Sequence, residues 1–359
     1  MPVPLFDTSS PLAGLRGELS AAVARVMESG QFILGPEVSA FEREFAAYCG
    51  AEHAIGVANG TEALTIALRA MGVGPGDEVV VPSFTFYASA EAIPPTGATP
   101  VFCDVDPDTY CVTAETVKAA LTPRTKAVIA VHLFGNPAPV TEIEALGVPV
   151  LEDAAQAAGS TSPGGRPGAL GKAATFSFFP SKNLGCFGDG GMITTSDEQV
   201  AEQARILRFH GSRDKVDYEQ VGYNSRLDEI QAAILRVMLP HLDGWAQGRR
   251  DAADHYERAG LGELAKLPVA TSGSAPAWHL YVIALERPEP LEAALASAGI
   301  GHKPYYRTPV HRQESMRPWG RDVELPATEH AARTHLAIPM SPVLTREQAE
   351  AVVSAARSL

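Results

Sequence analysis

Apolar residues along the chain alternate between two rhythms, and the switches mark out its elements. Between Pro11 and Ser29, Leu12, Leu15, Leu19, Val23, Val26 and Met27 recur at helical spacing, which predicts an amphipathic helix closed by Gly30. After the loop Gln31 to Pro36, the same period returns over Glu37 to Tyr48 with Val38, Phe41 and Phe45 on one face. The short run Ala54 to Val57 reads as a strand, and Asn59-Gly60-Thr61-Glu62 then opens a helix over Ala63 to Met71. From Asp77 onward strand and helix repeat: EVVVPSFTF before Ala88 to Ile93, TPVFCDVD before Thr113 to Leu121, AVIAVHLFG before Val140 to Leu146, and then VPVLEDAAQ. Apolar strands alternating with helices are buried on both faces, so the expected class is α/β with a mostly parallel sheet flanked by helices. Helical periodicity returns over Asp197 to His210 and Gly222 to Leu239, and is expected to continue over Asp243 to Tyr256. A strand-like HLYVIAL, a helix over Leu291 to Ala298, the loop Lys303 to His311 and a last helix over Thr345 to Ser358 complete the pattern. The expected division is a large domain over 1–240 and a small α+β domain over 241–359.

In an open parallel sheet the ligand lies beyond the carboxyl ends of the strands. Phe86, His132, Gly135, Asp153 and Gln156 fall at such ends. Asp153 follows the apolar run Val148 to Leu151, where an unpaired carboxylate is costly and needs a cation. A helix N-cap over Ala154 to Ala158 or a nearby arginine are its plainer explanations. Lys182 follows the aromatic strand Thr175 to Phe179, ended by Pro180, and precedes a turn holding Gly185, Gly188, Gly190 and Gly191 before a returning strand Met192 to Thr195. A lysine in apolar surroundings has its ammonium form disfavoured, the condition for a Schiff base, although a lone lysine at a hairpin end can also snorkel to water. Gly60 and Thr61 at a helix start offer free N–H groups to an anion, or serve only as a cap.

Composition narrows the partners. A net charge of -13 excludes nucleic acid as the main one, since phosphate backbones want a basic face. The absence of a membrane-length apolar run and of signal-peptide character at the N-terminus points to the cytoplasm. Cys49, Cys103, Cys111 and Cys186 show no metal-ligand spacing and read as reduced packing residues. One cofactor accounts for the remaining pieces, pyridoxal 5'-phosphate. Lys182 supplies the Schiff base, Asp153 keeps the pyridine nitrogen protonated, Gly60, Thr61 and Ser177 donate to the phosphate, and Phe86 stacks on the ring.

Ordered motifs along nearly the whole chain carry a resemblance: GPEVSAFEREFAAYCG, NGTEAL, PSFTFYASAEAI, DVDPDTY, VHLFG, EDAAQAAG, FSFFPSKNLGCFGDGGMITT, GYNSRLDEIQAAIL, WHLYV and YYRTPVH. They resemble the DegT/DnrJ/StrS-type sugar-nucleotide aminotransferases, within the fold type I pyridoxal-phosphate enzymes. The resemblance implies a homodimer with shared active sites, in which Gln156 meets the ring hydroxyl and Asn224 reaches the phosphate of the other subunit. It implies a ping-pong reaction that takes nitrogen from L-glutamate and gives it to the keto sugar of a nucleoside diphosphate. Relatives that dehydrate sugars carry histidine where this chain has Lys182, which favours transamination. The blocks around Lys182 and Asn224 look most similar to the subgroup acting on 3-keto sugars. Arg226 is the expected contact for a sugar carboxylate or the diphosphate, unless it pairs with Asp228 or Glu229. Tyr305, Tyr306 and His311 match the substrate loop, with Tyr306 the best match of the three and a structural role open for His311, and His132 and His210 read as packing or interface residues. A sugar dehydratase and a non-catalytic regulatory protein that binds a sugar nucleotide are the rival readings.

Overall fold

The computed structural model describes residues 2–358. A 3-10 turn over Ser10–Leu15 leads into helices α1 (Arg16–Ser29) and α2 (Pro36–Cys49). The first turn is the tighter 3-10 form where Gly14 and Gly17 weaken helical propensity. The alternating part follows as β1 (His53–Val57), α3 (Gly60–Ala70), β2 (Glu78–Pro82), α4 (Ala88–Glu91), β3 (Thr99–Cys103) and α5 (Ala114–Ala120). It continues as β4 (Thr125–Val131), α6 (Val140–Glu144), β5 (Val150–Asp153), β6 (Ala173–Ser177), β7 (Gly191–Thr195) and α7 (Glu198–Arg208).

The seven strands form one sheet in the order β1-β7-β6-β5-β4-β2-β3. The five strands from β3 to β6 run parallel, and β7 lies antiparallel to both β6 and β1. The sheet is therefore mainly parallel, with β7 returning from the glycine-rich turn to close the gap to β1. Ile55, Val80, Ile129 and Leu151 pack into a core with Leu64, Ile66 and Leu68 of α3. A second core joins Val38, Phe41 and Phe45 of α2 to Phe176, Phe178 and Met192. There Phe45 meets Phe176 edge-on at 4.8 Å and Phe178 at 5.5 Å. This aromatic knot fixes the strand that leads to Lys182, so the apolar face of α2 and the position of the lysine are linked.

The next helix, α8 (Glu229–Met238), does not run straight into α9 (Leu242–Arg258); a 3-10 turn over Leu239–His241 separates them at Pro240, which has no N–H to continue the ladder. Beyond it lie β8 (Tyr281–Ala284), α10 (Glu289–Ser297), α11 (Arg317–Gly320), α12 (Pro326–Thr334), β9 (His335–Ile338) and α13 (Arg346–Arg357). β8 and β9 pair antiparallel, and Tyr281, Ile283, Leu336 and Ile338 share a third core with Tyr256 of α9 and Val353 of α13. Val3, from the other end of the chain, packs into that same core and bridges to Ile300. Among the described residues no helix is long and apolar enough to cross a membrane, and all four cysteines are buried and free.

Candidate active site

Asp153 is the last residue of β5, and its buried carboxylate accepts hydrogen bonds from Ser89 Oγ at 2.7 Å and Ala155 N at 3.2 Å. Residues 154–158 form turns, so Asp153 caps no helix there, and it forms no ion pair with an arginine among the described residues. The cation that faces it is Lys182. Burial pushes the lysine amine down to about 8, while the nearby Asp153 carboxylate pulls in the opposite direction. The backbone turns sharply at this point: Lys182 N donates to Phe179 O at 2.8 Å, and a Cβ on Gly185 would lie 2.6 Å from Pro180 O. Only glycine permits that turn.

The start of α3 meets the end of β6 beside the lysine. A Cβ on Gly60 would stand 2.8 Å from Ser177 Cβ, so the missing side chain lets the helix N-terminus reach the strand end. Asn59 Oδ1 caps the N–H of Glu62 at 2.8 Å. The first N–H groups of α3, including those of Gly60 and Thr61, have no intrahelical acceptor. Gly60, Thr61 and Ser177 thus form one cradle of donors, as an anion requires.

On the other side of Asp153, Gln156 is held by its neighbours. Its Oε1 accepts from Phe134 N at 2.6 Å and its Nε2 donates to Tyr306 Oη at 3.1 Å. Tyr306 stacks on Phe134 at 6.2 Å and stands 5.3 Å from the ring of Tyr305; burial raises the pKa of its hydroxyl. Phe86 lies 6.3 Å from Tyr306 with 55% of its surface exposed, so its ring presents an open face beside the cluster.

Three positions behave differently. His311 takes the structural of its two expected roles rather than that of a substrate contact. Its ring is fully buried, its Nδ1 shares a 2.5 Å hydrogen bond with Ser83 Oγ, and its backbone N donates to the same oxygen at 2.9 Å. It anchors the loop that carries Tyr305 and Tyr306 and offers no surface to a ligand. Asn224 is exposed and Arg226 half-buried, and neither side chain makes a hydrogen bond or ion pair among the described residues. Arg226 does not pair with Glu229, whose buried carboxylate accepts three backbone N–H groups, from Gly35, Glu37 and Val38, each at 2.8 Å.

Asn183 and His279 stand beside the site though nothing in the local pattern marked them. Asn183, next to the lysine, donates to Ala277 O at 3.0 Å and accepts from His279 Nδ1 at 3.2 Å, which ties the lysine turn to the segment before β8. Burial, with the charges of Lys182 and Arg249, holds His279 far below the usual imidazole range and therefore neutral. His132 is a packing residue: its Nδ1 accepts from Ala138 N at 2.9 Å, so its Nε2 carries the proton and donates to Glu152 at 2.9 Å.

A model of the DegT/DnrJ/EryC1/StrS aminotransferase family matches residues 14–357. The chain belongs to this family. Like other DegT/DnrJ/EryC1/StrS proteins it is a pyridoxal-phosphate-dependent aminotransferase of the fold type I architecture. It is 46% identical to the dTDP-3-amino-3,4,6-trideoxy-alpha-D-glucose transaminase of Streptomyces venezuelae, over 99% of this chain and 95% of that one. It is 45% identical to a protein named pleiotropic regulatory protein from Geobacillus stearothermophilus, covering 98% and 97%. The crystal structure of S. venezuelae DesV in complex with a ketimine intermediate superposes with a TM-score of 0.96 at 45% identity, covering 100% of this chain and 98% of that one. The residues present fit the cofactor. An amine kept partly unprotonated faces a buried carboxylate, and a Cβ at Gly60 would fill the donor cradle beside them.

Proposed function

We propose that this aminotransferase moves nitrogen from L-glutamate to the 3-keto position of a nucleoside-diphosphate sugar, in a cytoplasmic homodimer whose subunits share their active sites. The observation that carries the reading is Lys182, with its amine brought down to about 8 beside the Asp153 carboxylate. Such an amine can attach a carbonyl cofactor near neutral pH and can take up and release a proton in turn. Bound pyridoxal phosphate supplies the electron sink for the substrate carbanion and the carrier for the nitrogen.

The chain's own residues do the rest. Asp153, oriented by Ser89, holds positive charge at the pyridine nitrogen. Gly60, Thr61 and Ser177 bind the phosphate, joined by Asn224 from the second subunit. Gln156 and Tyr306 border the ring and Phe86 covers one face. Lys182 Nζ takes the proton from the donor's α-carbon in the first half-reaction and delivers one to the sugar carbon in the second. Arg226, unpaired among the described residues, and Tyr305 and Tyr306 receive the sugar nucleotide. The 3-position is supported by the activity for which the S. venezuelae relative is named and by the motif similarity around Lys182 and Asn224. The regulatory name of the second relative favours a binding protein, but an electron-sink carboxylate and a tuned lysine are of no use without turnover.

The test is the cofactor absorbance of the holoprotein before and after L-glutamate, followed by 3-keto and 4-keto nucleotide sugars. Glutamate should change the spectrum and only 3-keto sugars should restore it. No response to any amino donor, or the same bound-cofactor spectrum in Lys182→Ala, would overturn the reading.

A further inference from the structure

A buried guanidinium borders the same cavity as Lys182. Arg249 of α9 is 6% exposed, and its Nη1 donates to the carbonyl oxygens of Trp278 at 3.1 Å and His279 at 3.4 Å. Its Nε–H is buried without a partner. No charged neighbour offsets its burial, which lowers its pKa to about 10. A buried cation without a counter-charge is costly, and a ligand anion removes that cost. The cavity measures about 120 Å³ and is lined by Lys182, Asn183, Arg249, Trp245, Thr8 and Asp7 among others. Asp7 is the one acidic side chain on the wall, and its Oδ1 is occupied by the N–H groups of Ser9 at 3.2 Å and Ser10 at 2.9 Å.

Proton transfer at the donor's α-carbon requires that carbon to come within reach of Lys182 Nζ, and the donor's α-carboxylate is one bond further on. The geometry points to Arg249 as the residue that binds a carboxylate of the amino donor, an α-amino dicarboxylic acid, in this cavity; the assignment rests on the aminotransferase reading above. Arg249 then serves the donor half of the reaction, because the donor's reacting carbon bears a carboxylate and the reacting carbon of a keto sugar bears none. The positioning of His279 by the same guanidinium links the cavity to the lysine turn through Asn183.

The experiment is calorimetric titration of the holoenzyme with glutarate, which lacks the amine and cannot react, alongside the L-glutamate dependence of the cofactor absorbance change. Arg249→Gln should weaken both by about 10- to 100-fold, the range of a hydrogen bond between charged groups, and Arg249→Lys should recover part of it. The half-reaction with the keto sugar should lose less than the half-reaction with L-glutamate does. Arg249 also holds two carbonyls, so if Arg249→Gln does not fold, Thr8→Glu decides: Thr8 is an exposed residue of the cavity wall, and a carboxylate there should repel glutarate. Glutarate binding unchanged in the folded Arg249 variant, or in Thr8→Glu where that variant is lost, overturns the assignment. A wild-type enzyme that takes nitrogen from no donor sinks the aminotransferase reading itself, whereas transamination from L-glutamate with glutarate binding indifferent to these changes sinks only the role of Arg249.

Discussion

Lys182 behaves as it does because of where its amine is, and that makes its chemistry depend on pH in a defined direction. Burial lowers its pKa from 10.5 to about 8. The protonated form cannot attach a carbonyl, so the rate of cofactor attachment to the cofactor-free protein should fall about tenfold per pH unit below about 8 and level off above it. A rate constant flat between pH 6 and 9 contradicts the tuned amine. The same shift affects stability. Between about 8 and 10.5 the unfolded chain holds a proton at this lysine that the folded cofactor-free protein does not, so this group makes stability rise with pH across that window. Gly60 gives a second prediction at this scale. In Gly60→Ala the new methyl meets Ser177 Cβ at 2.8 Å, which pushes α3 away from β6. Cofactor affinity should drop by about tenfold or more with loss of one or two phosphate hydrogen bonds. Equilibrium dialysis measures this, and Ser177→Gly in the same chain should recover part of the space but not the lost hydroxyl.

At the scale of elements, the N-terminus of α8 and the loop before α2 act as one piece. Glu229 accepts from Gly35, Glu37 and Val38, while its own N donates to Phe32 O at 3.0 Å. The loop Gln31 to Pro36 is therefore latched to the segment that presents Asn224 and Arg226. In Glu229→Gln one acceptor oxygen becomes an NH2 that faces backbone N–H groups. Leaving such donors unpaired costs about 1–3 kcal/mol. Thermal unfolding should show that loss, and protease cleavage within residues 31–36 should speed up before the rest of the chain opens. Unchanged cleavage and stability would mean that the loop is held by its other contacts. The residues that make this latch are far apart in sequence, and a glutamate opening an amphipathic helix reads locally as an ordinary first-turn acid. No local pattern distinguishes it.

The whole molecule carries the question of the second subunit. Phe32, Ile33, Phe86 and Phe187 are exposed large apolar residues, and Arg226 has no side-chain partner among the described residues. Both features favour a site completed by a second copy. Subunit mixing tests it. Lys182→Ala and Arg226→Ala are each expected to be inactive as homodimers, but if the sites are shared, one site of each mixed dimer is intact. Co-refolded equal mixtures should regain about a quarter of wild-type activity from random pairing. No recovery from mixtures in which mixed dimers are shown to form contradicts a shared site.

The alternation of apolar strands and helices, the strand-end places of Asp153 and Lys182, and the Gly60-Thr61 helix start were all legible in the chain itself. Each depends on local periodicity, or on a residue whose backbone or side-chain chemistry admits few uses. Tertiary structure decided the rest. The return of β7 between β6 and β1 follows from hydrogen bonding across the sheet, and the four-residue β9 is too short to show a period and exists by pairing with β8. His311 has the chemistry of a ligand contact, but Ser83 and Glu329 enclose its ring and make it an anchor. Arg249, His279 and Asn183 lie far apart in the chain, and only tertiary packing brings them together beside the lysine. Local sequence specifies which conformations a segment favours; which distant side chains lose water together is settled when the segments pack.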